Sequence, residues 1–478
     1  MMNRGDEITL TVERFGAEGK SVARVEGFVV FVPGGIPGDT VRARYTRVSK
    51  NFADVQVLEV LTPSPLRTTP RCAYYGVCGG CSWQHLSYAG QCAFKRQQVV
   101  DALERIGGFT GTLVHPTLGA ANEYYYRNKM EFSFGVRWLT AGELTQLQAE
   151  ERESTPAERF ALGLHIPRRF DRVLDLRECH LQSTESAAIV NAVRDFAIAK
   201  ELTIFSTFTH TGYLRNLVIR ETRHTDQRMV NLVTSEERPG LMAEFRDMLL
   251  ERFPATTTIV NNITERKSQV AQGDREIVLH GPGYITERIG TRTYRVSANS
   301  FFQTNTLQAE RLYDTVRAYA ALQPHETVFD LYSGTGTIAL HVADDAGQVI
   351  GVEAVASAVE DARRNAEAHG VTNCRFVLGD LKDRVLDRGT ETELQVRPDV
   401  VICDPPRAGM HPGVVASIRA LAPRKIVYVS CNPATQARDC KLLCEDGLYT
   451  LRESRPVDMF PHTNHCENVA LLTVHGGT

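Results

Sequence analysis

Residues 327–343 read TVFDLYSGTGTIALHVA, an apolar run that passes through Asp330 into Gly334, Gly336 and a helical pattern. Glycines at such a place let the backbone turn sharply and approach a ligand closely. From about residue 306 onward, further apolar runs that end in small or polar residues alternate with helical patterns; they are QVIGVEA, CRFVLGD, DVVICDPPRAG and KIVYVSCNPAT. This alternation predicts a doubly wound parallel sheet, whose ligands bind at the carboxyl ends of the strands.

Two acidic residues end the next two strands of this predicted sheet. Glu353 ends IGVEA, about 20 residues after the glycine turn, where a carboxylate can accept hydrogen bonds from ribose hydroxyls. The pattern Asp-x-x-x-Gly-x-Gly lacks the GxGxxG spacing of dinucleotide enzymes and resembles a class I S-adenosylmethionine-dependent methyltransferase. That resemblance places Asp380, at the end of CRFVLGD, against the adenine.

Reactive side chains follow the last strands. Asp404 comes after VVIC, and the two prolines behind it remove backbone donors and stiffen the turn. A DPP motif also occurs in amino-group methyltransferases, so it does not choose a reaction. Cys431 follows IVYV, where a position beside a ligand pocket favours a nucleophile over an inert packed thiol. Glu467 precedes VALLTV and is a candidate general base.

These three residue types fit methylation of uracil at carbon 5. That carbon becomes reactive when a thiolate adds to carbon 6 and makes an enolate, and a base must afterwards remove the carbon 5 proton. Cys431 and Glu467 fit the two roles, and Asp404 can orient the uracil by accepting from its ring nitrogen. His462 and His465 lie nearby in sequence and are either structural or functional.

Three closely spaced cysteines lie within the N-terminal third of the chain. Cys72, Cys78 and Cys81 form C-x5-C-x2-C, and Cys179 is a possible fourth ligand. Four thiolates suit either a 4Fe–4S cluster or zinc. Zinc sites more often use two CxxC pairs, so the uneven triplet with one remote cysteine favours iron–sulfur. Cys92 is then expected to be a packed thiol.

The N-terminal region predicts a small β domain. Five short strand-like runs separated by turn residues suggest an OB-like barrel: EITLTVERF, SVARV, FVVFV, TVRARYTRV and ADVQVLEVL. LTPSPLRTTP, at 61–70, is typical of a linker, and a helix is expected from about 89 to 107. Residues 108–300 suggest an α+β region whose strands carry Arg127, Lys129, Arg215 and Arg220.

Composition limits the class of protein. The 478 residues are 42% hydrophobic and 23% charged, which predicts two to four domains. A net charge of −3 gives no global basic field, so any nucleic-acid surface must be a local patch. The sequence contains no run of about 18 apolar residues, so no membrane span is predicted. The N-terminal stretch MMNRGDEITLTVERFG has no apolar signal core. A cytoplasmic location is therefore expected, and the 11 cysteines are candidates for metal binding or catalysis rather than disulfides.

Taken together, the motifs resemble the RNA uracil-5-methyltransferase family, in particular its RumA/RlmD type with an iron–sulfur cluster. The resemblance is carried by GAEGKSVARVEGFVVFVPGGIPGDTV, CAYYGVCGGCSWQHLSY, YRNKMEFSFG, LRNLVIR, SFFQTN, DLYSGTG, DPPRAG, YVSCNPAT and HCENVALL. It implies a TRAM domain that binds RNA at 1–62, a central region with the cluster at 63–300, and a Rossmann-like methyltransferase domain at 301–478.

The resemblance also implies roles for single residues. Cys431 would be the nucleophile and Glu467 the base, and Cys72, Cys78, Cys81 and Cys179 would hold the cluster. The residues implied to contact S-adenosylmethionine or line its pocket are Gln303, Tyr332, Glu353, Asp380 and Asp404. The insertion at 141–159 has no role in this scheme.

The expected function is methylation of carbon 5 of a uridine in RNA, with ribosomal RNA favoured over transfer RNA as the partner. No membrane and no obligate protein partner are expected. Two alternatives stay open, a non-catalytic RNA-binding assembly factor and an amino-methyltransferase that uses the DPP motif and gives Cys431 no role.

Overall fold

The computed structural model describes residues 2–16, 19–150, 153–167, 169–268, 270–383 and 396–475. The predicted insertion at 141–159 therefore includes two positions, 151 and 152, outside the described residues. The chain forms two compact units. The first unit comprises Met1–Gly76, Cys81–Ala120 and Ile402–Thr478, and the second comprises Val77–Gly80 and Ala121–Val401.

The N-terminal part of the first unit is a six-stranded sheet in the order β1-β5-β6-β4-β3-β2. Its strands are β1 (Glu7–Thr11), β2 (Arg14–Phe15), β3 (Ser21–Val25), β4 (Phe28–Phe31), β5 (Thr40–Val48) and β6 (Phe52–Thr62). Strand β5 shows why the fold forms, because Val41, Ala43 and Tyr45 alternate with exposed arginines and point into one apolar core. The predicted small β domain is confirmed, with one more short strand than the five expected.

The segment after β6 is fixed rather than loose. The buried carboxylate of Asp39 accepts hydrogen bonds from the Ile36 amide at 2.8 Å, the Ser64 amide at 2.9 Å and the Arg67 Nε at 3.0 Å. Strand β6 itself runs to Thr62, into the predicted linker. A buried carboxylate with this many donors fixes the chain direction within the predicted linker.

The remaining elements of the first unit surround the ends of the C-terminal strands. They are α1 (Tyr88–Ala102), β7 (Leu113–Val114), α9 (Pro412–Leu421), β21 (Lys425–Ser430), α10 (Pro433–Leu443), β22 (Tyr449–Val457) and β23 (Glu467–Val474). Strand β23 lies between β21 and β22 and is antiparallel to both, and β22 pairs in parallel with β7. Helix α1 continues as a π-helix over Leu103–Gly107, so the predicted helix has the expected extent but a widened last turn.

The second unit contains a seven-stranded sheet in the order β10-β9-β8-β11-β12-β13-β14. Its elements are β8 (Lys129–Val136), α2 (Ala141–Ala149), α3 (Pro156–Arg159), β9 (Phe160–Ile166), β10 (Arg169–Asp175), α4 (Thr184–Ala199), β11 (Leu214–Glu221), β12 (Arg228–Thr234), α5 (Pro239–Arg252), β13 (Thr258–Ile263) and β14 (Arg275–His280). A hairpin, β15 (Tyr284–Ile289) and β16 (Arg292–Ser297), follows.

The unit ends in three parallel strands in the order β19-β18-β17. These elements are α6 (Thr306–Ala320), β17 (Thr327–Leu331), α7 (Thr337–Val342), β18 (Gln348–Glu353), α8 (Ala356–Ala368) and β19 (Cys374–Leu378), and the chain leaves the unit within β20 (Val400–Cys403). The strand–helix alternation from residue 306 onward confirms the predicted Rossmann-like C-terminal region. Among the described residues, no helix is long and apolar enough to cross a membrane.

The glycine turn after β17 offers a test of the fold. Gly336 has φ +77°, and a Cβ there would lie 2.7 Å from Phe376 Cζ and 3.0 Å from Ala362 Cβ. Gly334 has φ +53° and open space around its Cβ position. We expect Gly336→Ala to lower the free energy of unfolding by about 2–4 kcal/mol, from the left-handed conformation and overpacking together. Gly334→Ala carries only the conformational cost of about 1–2 kcal/mol. Urea unfolding measures both, and equal losses would contradict the packing argument.

Candidate active site

Cys431 lies in a short connection between β21 and α10. Ser430 ends the strand, Asn432 caps the helix by accepting from the Ala434 amide at 3.1 Å, and Pro433 starts its first turn. The Ser430 hydroxyl also accepts from the Asn432 amide at 3.1 Å. Hydrogen bonds on both sides therefore hold the half-buried thiol at the carboxyl end of the strand, as the sequence predicts.

Glu467 is the first residue of β23, and the register of that strand brings it next to the same end of β21. Asn468 pairs with Ser430, and Glu467 pairs with Val457 on β22. The Glu467 side chain is buried, at 7% exposure, and accepts no hydrogen bond from any described residue. A carboxyl group in this situation is poorly solvated, so its neutral form is favoured.

Asp404, Cys431 and Glu467 lie within electrostatic range of one another. Burial raises the pKa of Asp404 to about 7. Burial and the negative charge of Asp404 raise the pKa of Glu467 to about 8. Burial, followed by the charges of Glu467 and Asp404, raises the pKa of the Cys431 thiol to about 11. At neutral pH the thiol is therefore protonated, and it needs a proton acceptor before it can act as a nucleophile.

Arg407 supplies the opposing charge. Its guanidinium lowers the pKa of both Glu467 and Cys431, against the effect of burial. Arg407 Nη2 lies 3.1 Å from His465 Nδ1, and its carbonyl accepts from Asn432 Nδ2 at 3.1 Å and Thr435 Oγ1 at 3.3 Å. These contacts hold the cation beside the thiol.

The turn that carries Asp404 and Arg407 is fixed by a second buried carboxylate. Asp439, on α10, accepts from the Met410 amide at 2.8 Å and from the Tyr428 hydroxyl at 2.7 Å. A Cβ on Gly409 would lie 2.6 Å from Asp439 Oδ2, so only glycine fits this close approach. Helix α10 thus positions the DPPRAG turn and Cys431 together.

The segment 458–466 in front of Glu467 is docked on α1. Lys95 Nζ and Asp458 Oδ1 form a fully buried ion pair at 2.5 Å. The His462 amide donates to Gln91 Oε1 at 2.7 Å, and the His462 carbonyl accepts from the Ser82 and Trp83 amides, each at 2.9 Å. His462 and its neighbours therefore have a structural role in fixing the approach to Glu467.

A cavity of about 840 Å³ opens on Cys431. Three parts of the first unit line it: the turn at β2, the end of α1 with its π-helix, and the segments around Arg407, Cys431 and His465. The lining residues are Arg14, Phe15, Gly16, Phe94, Gln97, Gln98, Asp101, Ala102, Arg105, Ile106, Arg407, Cys431, Asn432, Pro433, Ala434, Asn464, His465 and Cys466. A substrate can therefore reach the thiol.

In the second unit, the predicted cofactor loop is held by Glu353. Its carboxylate accepts from the Gly334 amide at 3.0 Å and from the Val355 amide at 2.9 Å. Tyr332 has φ +64°, a strained conformation for a residue with a side chain. Because the space around the Cβ position of Gly334 is open, a ligand can approach this loop closely, and the residues fit a nucleoside cofactor.

The other two predicted cofactor residues of this unit lie on separate segments. Asp380 is exposed just after β19 and accepts from the Lys382 amide at 3.0 Å. Gln303 is half-buried, and its carbonyl accepts from Asn128 Nδ2 at 2.8 Å. The roles of these residues toward a cofactor stay predictions.

The four cysteines predicted to hold a cluster are divided between the two units. In the first unit, the Cys72 amide donates to Gln84 Oε1 at 3.1 Å, and the Tyr75 hydroxyl ties the same segment to Ser82, next to Cys81. Cys78 and Cys179 belong to the second unit. Over the described part of the chain, no three His, Cys, Asp or Glu side chains form a group that could hold a metal ion.

The resemblance to an RNA-modifying family makes the four basic residues on the predicted strands of 108–300, Arg127, Lys129, Arg215 and Arg220, candidates for contacts to an RNA backbone. Two of them are instead structural. Arg215 and Arg220 are 5% and 2% exposed. Arg215 Nη2 donates to the Arg266 and Ser268 carbonyls, and Arg220 Nη2 donates to the Ala298 and Ser300 carbonyls. The prediction is wrong for this pair, because alternation along a strand does not say which face is covered by another segment.

Comparison with known proteins places the chain in a family. The family model for tRNA (uracil-5-)-methyltransferase matches residues 266–475, and the TRAM domain model matches residues 2–58. An uncharacterized RNA methyltransferase of Chlorobaculum tepidum is 43% identical over 98% of this chain and 96% of its own length. A second uncharacterized RNA methyltransferase, from Porphyromonas gingivalis, is 43% identical over 97% of this chain and 99% of its own length. The chain belongs to the RNA uracil-5-methyltransferase family.

A solved structure of this family has the same fold. The tRNA (uracil-54, C5)-methyltransferase of Pyrococcus abyssi, in complex with S-adenosyl-L-homocysteine, aligns with a TM-score of 0.72 and 29% identity. The alignment covers 98% of this chain and 100% of the archaeal one. The protein is therefore an RNA methyltransferase with an N-terminal TRAM domain and a Rossmann-like catalytic region.

In this RNA methyltransferase, sequence reasoning missed Arg407 and the contribution of α1. Arg407 stands in the DPPRAG motif, so its proximity to Asp404 was a usable signal. The sequence gives no such signal for Gln98, Asp101 and Arg105, because polar positions on a predicted amphipathic helix normally indicate its solvent-exposed face. Only the tertiary structure shows that this face lines the cavity at Cys431.

The raised pKa of Glu467 predicts a pH-dependent stability. Its pKa is 4.5 in the unfolded chain and about 8 in the folded protein, so this group stabilises the fold fully below pH 4.5 and loses its contribution as pH rises through 8. Glutamine keeps the neutral shape. We expect the difference in free energy of unfolding between Glu467→Gln and wild type to shift in favour of the variant by about 1–3 kcal/mol from pH 6 to pH 9, because only the wild-type carboxyl ionises. Urea unfolding at both pH values measures this, and a constant difference would show that the carboxyl is not desolvated.

Proposed function

We propose that this protein methylates carbon 5 of a uridine in RNA through a transient bond between Cys431 and carbon 6 of the uracil. The observation that carries the proposal is the convergence of Cys431, Glu467 and Asp404 at one end of a sheet, next to a cavity that reaches the thiol. An amino-methyltransferase would not need a thiol beside two carboxyl groups. A non-catalytic RNA-binding protein would need neither.

The methyl donor in this proposal is S-adenosylmethionine, which supplies the methyl group of its sulfonium when bound. The glycine turn with Tyr332 and Glu353 fits a nucleoside ligand, and the archaeal structure holds the demethylated product. Asp380 and Gln303 are proposed as further contacts to the donor. Asp404 is assigned to the donor pocket or to the uracil ring nitrogen, and its half-buried carboxyl group has no hydrogen-bond partner among the described residues.

Cys431, Glu467 and Arg407 each act at a defined step of the proposed reaction. The thiol of Cys431 loses its proton to a carboxylate as sulfur bonds to carbon 6, and the electron pair of the ring double bond moves into an enolate. Carbon 5 takes the methyl group from the donor, whose carbon–sulfur bond would break and leave a neutral thioether. Glu467, in its ionised form, then removes the proton from carbon 5. The electrons of that broken bond re-form the double bond and expel the cysteine thiolate. Arg407 assists because its charge favours the ionised forms of both groups.

Two substitutions test this scheme. Cys431→Ala should lower methyl transfer at least about 1,000-fold while leaving donor binding intact, because the nucleophile is lost. Glu467→Gln should accumulate a protein–RNA adduct, because an amide cannot accept the carbon 5 proton. Tritium transfer to RNA and denaturing gels measure the two effects, with Cys92→Ala as the control thiol. Full activity of Cys431→Ala would reject the mechanism.

Ribosomal RNA, in particular 23S, is the proposed substrate. The support is the combination of a TRAM domain with the C-x5-C-x2-C motif, which resembles the ribosomal branch. Transfer RNA is the second candidate, because the matching family model and the archaeal structure are both named for transfer RNA. Mass mapping of both RNA classes from cells that lack this protein identifies the substrate by the loss of 5-methyluridine.

A 4Fe–4S cluster held by Cys72, Cys78, Cys81 and Cys179 is also proposed, on the spacing of the motif alone. All four side chains are thiols with partial exposure. Anaerobically purified protein should contain about four iron and four sulfide per chain and absorb broadly near 400 nm. Cys72→Ser should lose this absorbance, whereas Cys92→Ser should keep it. Zinc in place of iron, or no metal in either protein, would reject the cluster.

A further inference from the structure

We propose that the cavity at Cys431 contains a second nucleotide subsite, formed by α1 and its π-helix, which receives the nucleotide adjoining the target uridine and reads its base. The inference rests on the proposed function, since it assumes that a uridine occupies the position next to the thiol. It goes further by assigning sequence selection to Gln98 and Arg105.

The size of the cavity supports a second occupant. Its volume of about 840 Å³ lies near the top of the range of roughly 300–1,000 Å³ that encloses a drug-sized ligand. A single pyrimidine ring next to Cys431 leaves most of that space unfilled. The residues of α1 and its π-helix that line the cavity run from Phe94 to Ile106.

The charge of the lining favours a polyanion. Three arginines, Arg14, Arg105 and Arg407, line the cavity together with one aspartate, Asp101. Asp101 already accepts from Gln97 Nε2 at 2.8 Å and pairs with Arg105 Nη2 at 3.3 Å. Arg14 forms no ion pair with any described residue. In a protein with a net charge of −3, this local excess of positive charge suits phosphates on either side of a bound base.

The α1 wall also offers groups for reading a base. The Gln98 side-chain amide, which has both donors and an acceptor, makes no hydrogen bond with a described residue. Arg105 presents donors in a planar fork, and Ile106 is 43% exposed and gives an apolar surface for a base face. Recognition of an unstacked base commonly combines such an apolar surface with hydrogen bonds to the base edge.

The π-helix at the end of α1 carries part of this wall and packs against α10. Helix α1 ends at Ala102, and the widened turn Leu103–Gly107 carries Arg105 and Ile106 to the cavity. Gly107 approaches α10 so closely that a Cβ there would lie 3.3 Å from the Ala437 carbonyl. The same helix α10 begins directly after Cys431, so the reading groups and the nucleophile share one support.

The test uses RNA transcribed with 5-fluorouridine, fragmented, and incubated with the full chain and S-adenosylmethionine. Because the base at the site removes a proton but not fluorine from carbon 5, the cysteine–RNA bond persists and the attached RNA can be sequenced. We expect wild-type adducts to show about a tenfold preference for one base at a position adjoining the fluorouridine. Arg105→Ala and Gln98→Ala should reduce that preference below about threefold and leave preferences at other positions unchanged.

Two further variants separate specific from general effects. Arg24→Ala removes the same charge from an exposed position of β3 outside the cavity and should keep the wild-type preference. Gln98→Glu replaces amide donors with acceptors of the same shape and should change which base is preferred. It therefore tests the subsite even if truncation unfolds α1.

The outcomes distinguish the two proposals. Adducts without any neighbour preference, or a preference that Arg105→Ala, Gln98→Ala and Gln98→Glu all leave unchanged, would overturn the subsite and leave the proposed function standing. Failure of the wild-type chain to form any adduct would overturn the proposed function and the subsite together.

Discussion

Burial of two carboxyl groups beside one thiol governs the chemistry of this protein. Burial raises the pKa of Asp404, burial and the charge of Asp404 raise the pKa of Glu467, and burial with both charges raises the pKa of Cys431. A resting site with a protonated thiol avoids idle reaction and oxidation. In the proposed reaction Cys431 must lose its proton. Among the described groups that act on Glu467, Arg407 is the one that favours the charged form.

This arrangement depends on segments that are far apart in sequence. The buried Lys95–Asp458 ion pair and the Gln91–His462 hydrogen bonds fix the approach to Glu467 on α1, and Asp439 fixes the DPPRAG turn on α10. Breaking a buried ion pair by removing one partner usually costs 3–5 kcal/mol. The Ser82 amide, next to Cys81, donates to the His462 carbonyl, so the cysteine-rich segment supports the catalytic strand end whether or not it holds metal.

The N-terminal domain is part of the same site rather than a separate RNA-binding attachment. Arg14, Phe15 and Gly16 line the cavity at Cys431, and Phe15 packs against Trp83 and Phe94 with ring centroids at 4.8 and 4.7 Å. Phe94 lies on α1, which also carries the proposed reading groups. In the proposed reaction, an RNA bound by the TRAM domain would meet Cys431 at this shared cavity of the first unit.

The sequence by itself determined the order of strands and helices, the small N-terminal β domain and the positions of Cys431, Asp404 and Glu467, because each depends on local periodicity and on the rule that ligands gather at strand ends. The RNA-facing roles of Arg215 and Arg220 failed, and the sequence did not show that Asp39 holds the predicted linker at 61–70, since burial by distant segments leaves no local pattern. Only the tertiary structure placed Arg407 against the thiol and the polar face of α1 in the cavity. Both results depend on contacts across more than 20 residues of chain, where packing rather than propensity decides what a side chain meets.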